Sequence, residues 1–525
     1  MSDRYDVVVV GSGFGGAVTS CRLSEAGLKV LVLERGRRWS PETFPRQPGD
    51  PWVWDQAHPE KRNGWLDFRL HRRVSVAQGA GVGGGSLIYA NVQVDAPPQV
   101  FAEGWPAEIT HEALRPYYAR VERMLNPRPV PAPQAPLRQK LVRQGATALG
   151  HGARFRPLPL AITFDEDWQY EREAPFDVRH TRAWTNEHGR QQGTCVHCGD
   201  CYLGCPVGAR NTLDLNYLAR AENLGAEVRP LHIARAISPE GSGYRVDFHR
   251  IQDRRLVPGF VTADRVVVAA GSLGSTELLL RCRDQYRTLP RLSRALGTRW
   301  SGNGDFLTVS IQPQPVNPTH GPTITAAVDF LDGSVRGKRF FLQDGGFPEF
   351  FRSVMDSDLK FGMKDLQFNL MVFGLAWALR RQGAMAQMMP WFGQSADAAD
   401  GRLYLGRSLW APWRRTLKLS WNPAASRDAV NALFDTHCEF ARATGGRPLS
   451  ATLWTVLESL VTPHPLGGCR MADAPEDGVV NHRGEVFGYP RLFVADGSVV
   501  PCALGLNPSK TIAALAERIA DRMLD

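Results

Sequence analysis

The sequence predicts an α/β chain: a Rossmann-like, dinucleotide-binding domain joined to a second, β-sheet-rich (α+β) domain. Three observations predict it. An apolar strand pattern from Tyr5 to Val10 breaks at once into Gly11-Ser12-Gly13-Phe14-Gly15-Gly16 and continues as a helix-compatible stretch, Ala17 to Ala26. A second apolar run, Leu28 to Leu33, ends in Glu34. Far along the chain, Val266-Val267-Val268-Ala269-Ala270-Gly271 reads as another strand aimed at the same site.

In the first unit, Gly11 permits the tight turn, Gly13 lets backbone approach a pyrophosphate, and Gly16 lets helix and strand pack closely. The helix N-terminus offers free N–H groups and a positive dipole end to the phosphates. Glu34 suits the hydroxyls of an unphosphorylated adenosine ribose, and the motif by itself leaves FAD and NAD both open. Residues 41–66, rich in Pro, Trp and charge, read as an extended excursion over the surface. A second glycine loop follows, Gly79-Ala80-Gly81-Val82-Gly83-Gly84-Gly85-Ser86, whose lack of side chains implies backbone lying flat against a large planar group. Helical patterns cover His111 to Leu125 and Pro136 to Leu149, with a Pro-rich loop near 127–136. From Gly225 the chain reads as short strands, with Ala234 among the cofactor-facing candidates, and a helix runs from Ser275 to Cys282. Residues 300–455 alternate like antiparallel strands with long insertions. The tail, Leu492 to Gly497 and then a helix opened by Asn507-Pro508-Ser509 and closed at Leu524, returns to the nucleotide domain. The expected division is therefore discontinuous: 1–40, 70–100, 190–300 and 456–525 form the nucleotide domain, and 41–69, 101–189 and 301–455 the substrate domain and its lid.

A chain of 525 residues has room for two to three domains. With 43% hydrophobic and 22% charged residues it has the composition of a soluble globular enzyme. The net charge of +9 comes from scattered, mostly arginine, cations without a long basic run, which argues against nucleic-acid binding. Met1-Ser2-Asp3-Arg4 leads straight into the first strand, leaving no room for a signal peptide, so a cytoplasmic location is expected. Of nine cysteines, Cys21, Cys282, Cys438, Cys469 and Cys502 are isolated and read as small buried apolar residues. Cys195, Cys198, Cys201 and Cys205, followed by Pro206, have the spacing of a bacterial ferredoxin run. A single run readily provides three ligands and needs a fourth from elsewhere. An iron–sulfur cluster, a zinc site, an oxidised bridge and a structural thiol group therefore all stay open.

Together, Gly81-Val82-Gly83-Gly84-Gly85-Ser86-Leu87, His464-Pro465-Leu466-Gly467-Gly468-Cys469, Asp496-Gly497-Ser498, and Gly505-Leu506-Asn507-Pro508 with Thr511 resemble the glucose–methanol–choline (GMC) flavin oxidoreductases. The similarity is to the cholesterol oxidase-like and long-chain alcohol oxidase branch; it anchors both ends and the middle of the chain and covers 300–455 weakly. The resemblance implies the GMC fold, with non-covalent FAD under a substrate-binding β-sheet. By resemblance, FAD meets Gly11, Gly13, Phe14, Gly15, Gly16, Glu34, Gly79, Gly81, Gly83, Gly84, Gly85, Ser86, Tyr89, Asn91, Ala234, Ala270, Gly271, Asp496, Gly497, Asn507, Pro508 and Thr511. It also implies that His464 and Asn507 grip the substrate hydroxyl. An imidazole can share that proton, and an amide can hydrogen-bond without changing charge. Where the resembled cholesterol oxidases place a glutamate on the substrate sheet, this chain offers Gln343, so that a base other than His464 is in doubt. Asp344 and Glu349 are nearby fallbacks that read as solvated loop carboxylates.

The uncharged stretch Leu366 to Leu379, followed by Arg380-Arg381 and then Met385, Met388, Met389, Trp391 and Phe392, reads as a core segment or as a greasy lid. A lid would suit a sterol or a long-chain or aryl alcohol, and peripheral contact with a membrane holding it. The expected reaction is oxidation of a hydrophobic alcohol to its carbonyl, with oxygen or an electron carrier as acceptor. Three alternatives accompany it: a dehydrogenase passing electrons through an iron–sulfur cluster, a redox-silent flavin lyase of the same fold, and a non-catalytic electron-transfer flavoprotein.

Overall fold

Each glycine turn sits where a parallel strand ends. The structure, a computed structural model, describes residues 4–47, 49–348, 385–407 and 414–525. Strand β1 (Arg4–Val10) enters helix α1 (Phe14–Glu25) and returns as β2 (Val30–Leu33), paired in parallel from Val7↔Val30 to Val10↔Leu33. Next come β3 (Leu66–Leu70) and β4 (Val74–Gly79), then helices α2 (His111–Leu125) and α3 (Leu137–Ala148) and the short β5 (Phe155–Pro157). The strand-rich middle supplies β6 (Glu227–Arg229), β7 (His232–Glu240), β8 (Gly243–Gln252) and β9 (Arg255–Val268), followed by α4 (Gly271–Leu280). The second half adds β10 (Phe306–Ile311), β11 (Ala326–Phe330), β12 (Phe340–Asp344), β13 (Met388–Ser395), α5 (Pro423–Ala443), β14 (Arg447–Pro448), β15 (Leu460–Thr462), β16 (Leu492–Val494) and α6 (Ser509–Leu524).

The first sheet has the order β6-β2-β1-β9-β8-β7, with β16 also paired to β9. Val10 pairs with Val268 and Val268 with Val494, all in parallel, so three strands stop side by side. Their next residues are Gly11, Ala269-Ala270-Gly271 and Ala495-Asp496-Gly497. This is the carboxyl-end crevice in which open α/β sheets bind ligands. Helix α6 locks the two chain ends together: Arg22 Nε on α1 donates to Glu517 Oε2 at 2.7 Å, and Tyr217 Oη donates to Glu517 Oε1 at 2.7 Å.

The second sheet is antiparallel, in the order β14-β10-β13-β12-β11-β5. Its strands come from 155–157 and from 306–448. A small sheet, β15-β4-β3, joins the two regions, and Thr462 on β15 pairs in parallel with Val76 on β4. Both strands therefore run out in one direction, delivering the Gly79 loop and the His464 segment to the same place.

One expectation is refined here and one changes. Residues 41–66 run largely along the surface, as expected, but bury part of their aromatic content. Trp54 and Trp65 are buried, and both face the central cavity, because four aromatic rings in this stretch need apolar cover. Asp344 is not a solvated loop carboxylate. It is fully buried at the end of β12 and ion-paired to Arg138 Nη1 on α3 at 2.7 Å. Thr325 N and Ala326 N also donate to Asp344 Oδ1, each at 2.8 Å. Glu349 and the stretch 366–381 lie outside the described residues.

Candidate active site

The carboxyl-end crevice opens into one cavity of about 1160 Å³ that extends under the second sheet. Its nucleotide end is lined by Gly11, Gly13, Phe14, Gly15, Glu34, Gly79, Gly84, Gly85, Tyr89, Ala234, Ala270, Gly271, Asp496, Gly497, Asn507 and Pro508. The glycines are required by space. A Cβ on Gly15 would stand 1.5 Å from Ala495 O, and one on Gly84 would stand 2.6 Å from Gly13 Cα, so the two glycine loops touch backbone to backbone. Glu34 accepts from Ser12 N, Ser12 Oγ and Gly36 N, three of its roughly four acceptor positions, and keeps one facing the cavity. Asp496 accepts from Gly271 N at 2.8 Å and Ser498 N at 2.8 Å, tying two strand ends together; burial pushes its carboxyl upward.

Other expected residues stand one layer back. Gly16 packs α1 on its strand, since a Cβ there would meet Gly11 O at 1.9 Å. Gly81 abuts Trp39, Gly83 carries a φ of +105°, and Ser86 Oγ donates to Gly83 O at 2.8 Å, so these three shape the second loop from behind. Thr511 Oγ1 lies 3.0 Å from Tyr118 Oη, away from the cavity. Asn91 Oδ1 accepts from Arg210 Nε at 2.7 Å. That buried guanidinium also donates to Ser86 O, Leu87 O and Tyr89 O, so Arg210 braces the whole second loop from beneath.

The reacting end is built around one turn, residues 301–305. Asn303 Oδ1 accepts from Leu504 N at 3.0 Å and Gly505 N at 2.9 Å, and its Nδ2 donates to Leu506 O at 2.8 Å. This clamp presents Asn507. Two residues later, Asp305 Oδ1 lies 2.8 Å from His464 Nδ1, while Asp305 Oδ2 accepts from Thr462 Oγ1 at 2.6 Å. Ser301 and Leu466 exchange backbone hydrogen bonds at 3.0 and 2.9 Å, stitching the turn to the His464 segment. Gly467 and Gly468 adopt φ of +76° and +103°, and Cβ atoms there would strike Arg299 O and Thr276 Oγ1 at 2.0 and 2.2 Å. Behind Asn507, the fully buried Gln343 donates from Nε2 to Asn507 Oδ1 at 2.7 Å, and its own Oε1 has no partner. Gln343 does not line the cavity; it orients the amide that does. Sequence reading passes over Asp305 and Asn303, because each is a single polar residue whose partner lies far away in the chain.

The turn is held in place by Asp397, which accepts from Ser301 Oγ at 2.7 Å, Gly302 N at 3.1 Å and Gly304 N at 3.2 Å. Burial pushes the Asp397 carboxyl up to about 6 from 3.8. A folded-state value raised above the unfolded one means that the folded protein holds this proton more tightly. Its share of stability is thus greatest below about pH 4 and is lost as pH climbs to about 6, a change on the order of 3 kcal/mol. Asp397→Asn, which cannot ionise, is expected to flatten the pH dependence of the unfolding midpoint between pH 4 and 6; an unchanged slope would contradict this.

Cys195, Cys198, Cys201 and Cys205 are free thiols. Among the described residues, no three or more His, Cys, Asp or Glu side chains are grouped to hold a metal ion. Locally, Cys195 Sγ accepts from His197 N at 3.4 Å and Cys205 Sγ from Ala209 N at 3.3 Å, and burial pushes the Cys195 and Cys198 thiols up.

Residues 383–516 match the family described as GMC oxidoreductase, and residues 9–53 match the NAD(P)-binding Rossmann-like domain. A cholesterol oxidase of Mycobacterium tuberculosis (strain ATCC 25618 / H37Rv) is 31% identical over 99% of this chain and 91% of its own length. The chain belongs to the GMC oxidoreductase family. A cholesterol oxidase of Acinetobacter baumannii is 30% identical over 98% of this chain and 93% of its own. The crystal structure of pyridoxine 4-oxidase from Mesorbium loti superposes with a TM-score of 0.61 at 17% identity, covering 98% of both chains, and shows the same fold. GMC oxidoreductases bind FAD and act on alcohol groups. The cavity fits that cofactor: two side-chain-free loops face each other at its nucleotide end, and Glu34 keeps an acceptor position there. No helix among the described residues is long and apolar enough to cross a membrane.

Proposed function

We propose that this GMC enzyme oxidises a hydrophobic alcohol, a sterol or a long-chain or aryl primary alcohol, to its carbonyl with FAD held non-covalently and oxygen as electron acceptor. The observation that carries the reading is that His464 and Asn507 line the same cavity as the glycine loops, together with the apolar Ile324, Phe347, Phe392, Trp454 and Leu460. Apolar walls draw in an apolar substrate, and the two polar groups fix its one hydroxyl. Bound FAD supplies the two-electron acceptor. His464 takes the hydroxyl proton. Asn507, held through its Oδ1 by Gln343, directs its N–H toward the substrate oxygen and holds the carbinol carbon in place. Leu307, Leu457 and Val461 line the cavity while remaining 43%, 55% and 37% exposed, which supports an apolar mouth able to rest on a membrane that holds the substrate. Residues 195–205 enter this reading as thiols, with no step assigned to an iron–sulfur cluster.

The test is an anaerobic visible spectrum of the FAD-loaded protein, titrated with cholesterol and then with medium- and long-chain primary alcohols. Bleaching of the flavin band is expected with at least one class, and re-oxidation on admitting air identifies the acceptor. A flavin that stays oxidised with every alcohol would overturn the reading and favour a redox-silent reaction.

A further inference from the structure

His464 is only half described by the groove it faces, because its far side rests on a carboxylate. Asp305 is the one carboxylate among the described residues bonded to either His464 or Asn507, and its side chain is fully buried. Asp344, the other acid nearby, is committed to Arg138. We propose that Asp305 is a positioning residue that locks His464 in the tautomer able to take the substrate's proton.

Hydrogen-bond polarity fixes the tautomer. A carboxylate offers acceptors only, so the 2.8 Å contact between Asp305 Oδ1 and His464 Nδ1 places the ring proton on Nδ1. The lone pair is then on Nε2, on the cavity side. The second oxygen is fixed as well. Thr462 Oγ1 accepts from His464 N at 2.9 Å and donates to Asp305 Oδ2 at 2.6 Å, so its single proton is committed to the carboxylate. The backbone of the same histidine thus aligns the threonine that aligns its own carboxylate. When the alcohol reacts, its O–H bond breaks and the proton goes to Nε2; bound FAD would supply the acceptor for the hydride released as the C–H bond breaks. The positive charge gained by the imidazole develops against Asp305 in a buried setting, where a fixed counter-charge is most effective.

The geometry makes Asp305→Asn more than a charge deletion. With the Thr462 hydroxyl still donating, the new amide must turn its oxygen to Thr462 and its NH2 to Nδ1. That would push the ring proton onto Nε2, where it blocks the incoming one. Asp305→Asn is expected to lower kcat by about 10²–10⁴-fold, with flavin content and KM changed by less than a few-fold. In the double variant Asp305→Asn with Thr462→Val, the amide is free to turn its oxygen to Nδ1, and kcat is expected to rise above that of Asp305→Asn.

The proposal rests on the alcohol-oxidation reading for its kinetics and not for its structure. The direct measurement is ¹⁵N NMR of the histidine-labelled holoenzyme, with the His464 signals assigned by their loss in His464→Gln. A wild-type Nδ1–H tautomer, and a switch to Nε2–H in Asp305→Asn, are expected. A wild-type Nε2–H tautomer, or an Asp305→Asn enzyme with undiminished kcat, would overturn the proposal even if alcohols reduce the flavin. Should no alcohol reduce the wild-type flavin, the functional reading fails alone, and the NMR experiment still decides the role of Asp305.

Discussion

His464→Ala is expected to lower the rate of flavin reduction by alcohol by about 10²–10⁴-fold, the usual contribution of a positioned proton acceptor, while FAD stays bound. The two effects separate because different parts of the molecule carry them. On this reading the cofactor would lie against Gly11, Gly13, Gly15, Gly79, Gly84, Gly85, Ala270-Gly271 and Asp496-Gly497, which line the cavity from the first sheet and its neighbours. His464 enters from β15, bracketed by Pro463 and Pro465. Removing its ring leaves Asn507, an amide unable to take a proton, as the polar group aimed at the substrate. Stopped-flow reduction under anaerobic conditions measures the rate, and the flavin-to-protein absorbance ratio measures occupancy. A variant that reduces its flavin at the wild-type rate would remove His464 from the mechanism.

Arg138→Leu is expected to be the most destabilising single change at a charged residue, by about 3–5 kcal/mol, because it strands a buried carboxylate without its partner. Both side chains are fully buried, and Arg138 also donates to the carbonyls of His320, Pro322 and Gly345. Asp344 in turn holds Thr325 and Ala326 at the start of β11. The ion pair therefore ties α3 to two strands of the substrate sheet, directly beside Gln343. Thermal or denaturant unfolding should show the loss, and replacing Arg138 and Asp344 together with apolar residues should recover part of it, since an uncompensated charge costs more than a missing pair. An Arg138→Leu protein as stable as the wild type would contradict this account.

How much was legible varied with the range of the interaction. The βαβ fingerprint was legible because its glycines and Glu34 lie within a single βαβ unit, and the helix from His111 to Leu125 was read to the residue. The burial of Trp54 and Trp65 within 41–66 was not legible, because irregular extended backbone has no period that reveals which side chains turn inward. Asp344 was misread for a similar reason: its partner Arg138 lies 206 residues away. The cysteine run has the spacing of a metal site, but spacing constrains the chain and leaves open where the sulfurs point, so its chemistry is not legible from sequence.

By itself, then, the sequence determined the class of fold, which is written in contiguous motifs whose backbone geometry is local, while FAD and the choice of His464 and Asn507 as the pair to examine came from its resemblance to the GMC family. Only the tertiary structure decided what stands behind that pair. Asn303 and Asp305, two residues apart on one turn, reach a loop some 200 positions later and a histidine 159 positions later. Gln343 meets Asn507 across 164 positions. The specificity of those contacts resides in the packing of two sheets against each other, and no short stretch of chain encodes it.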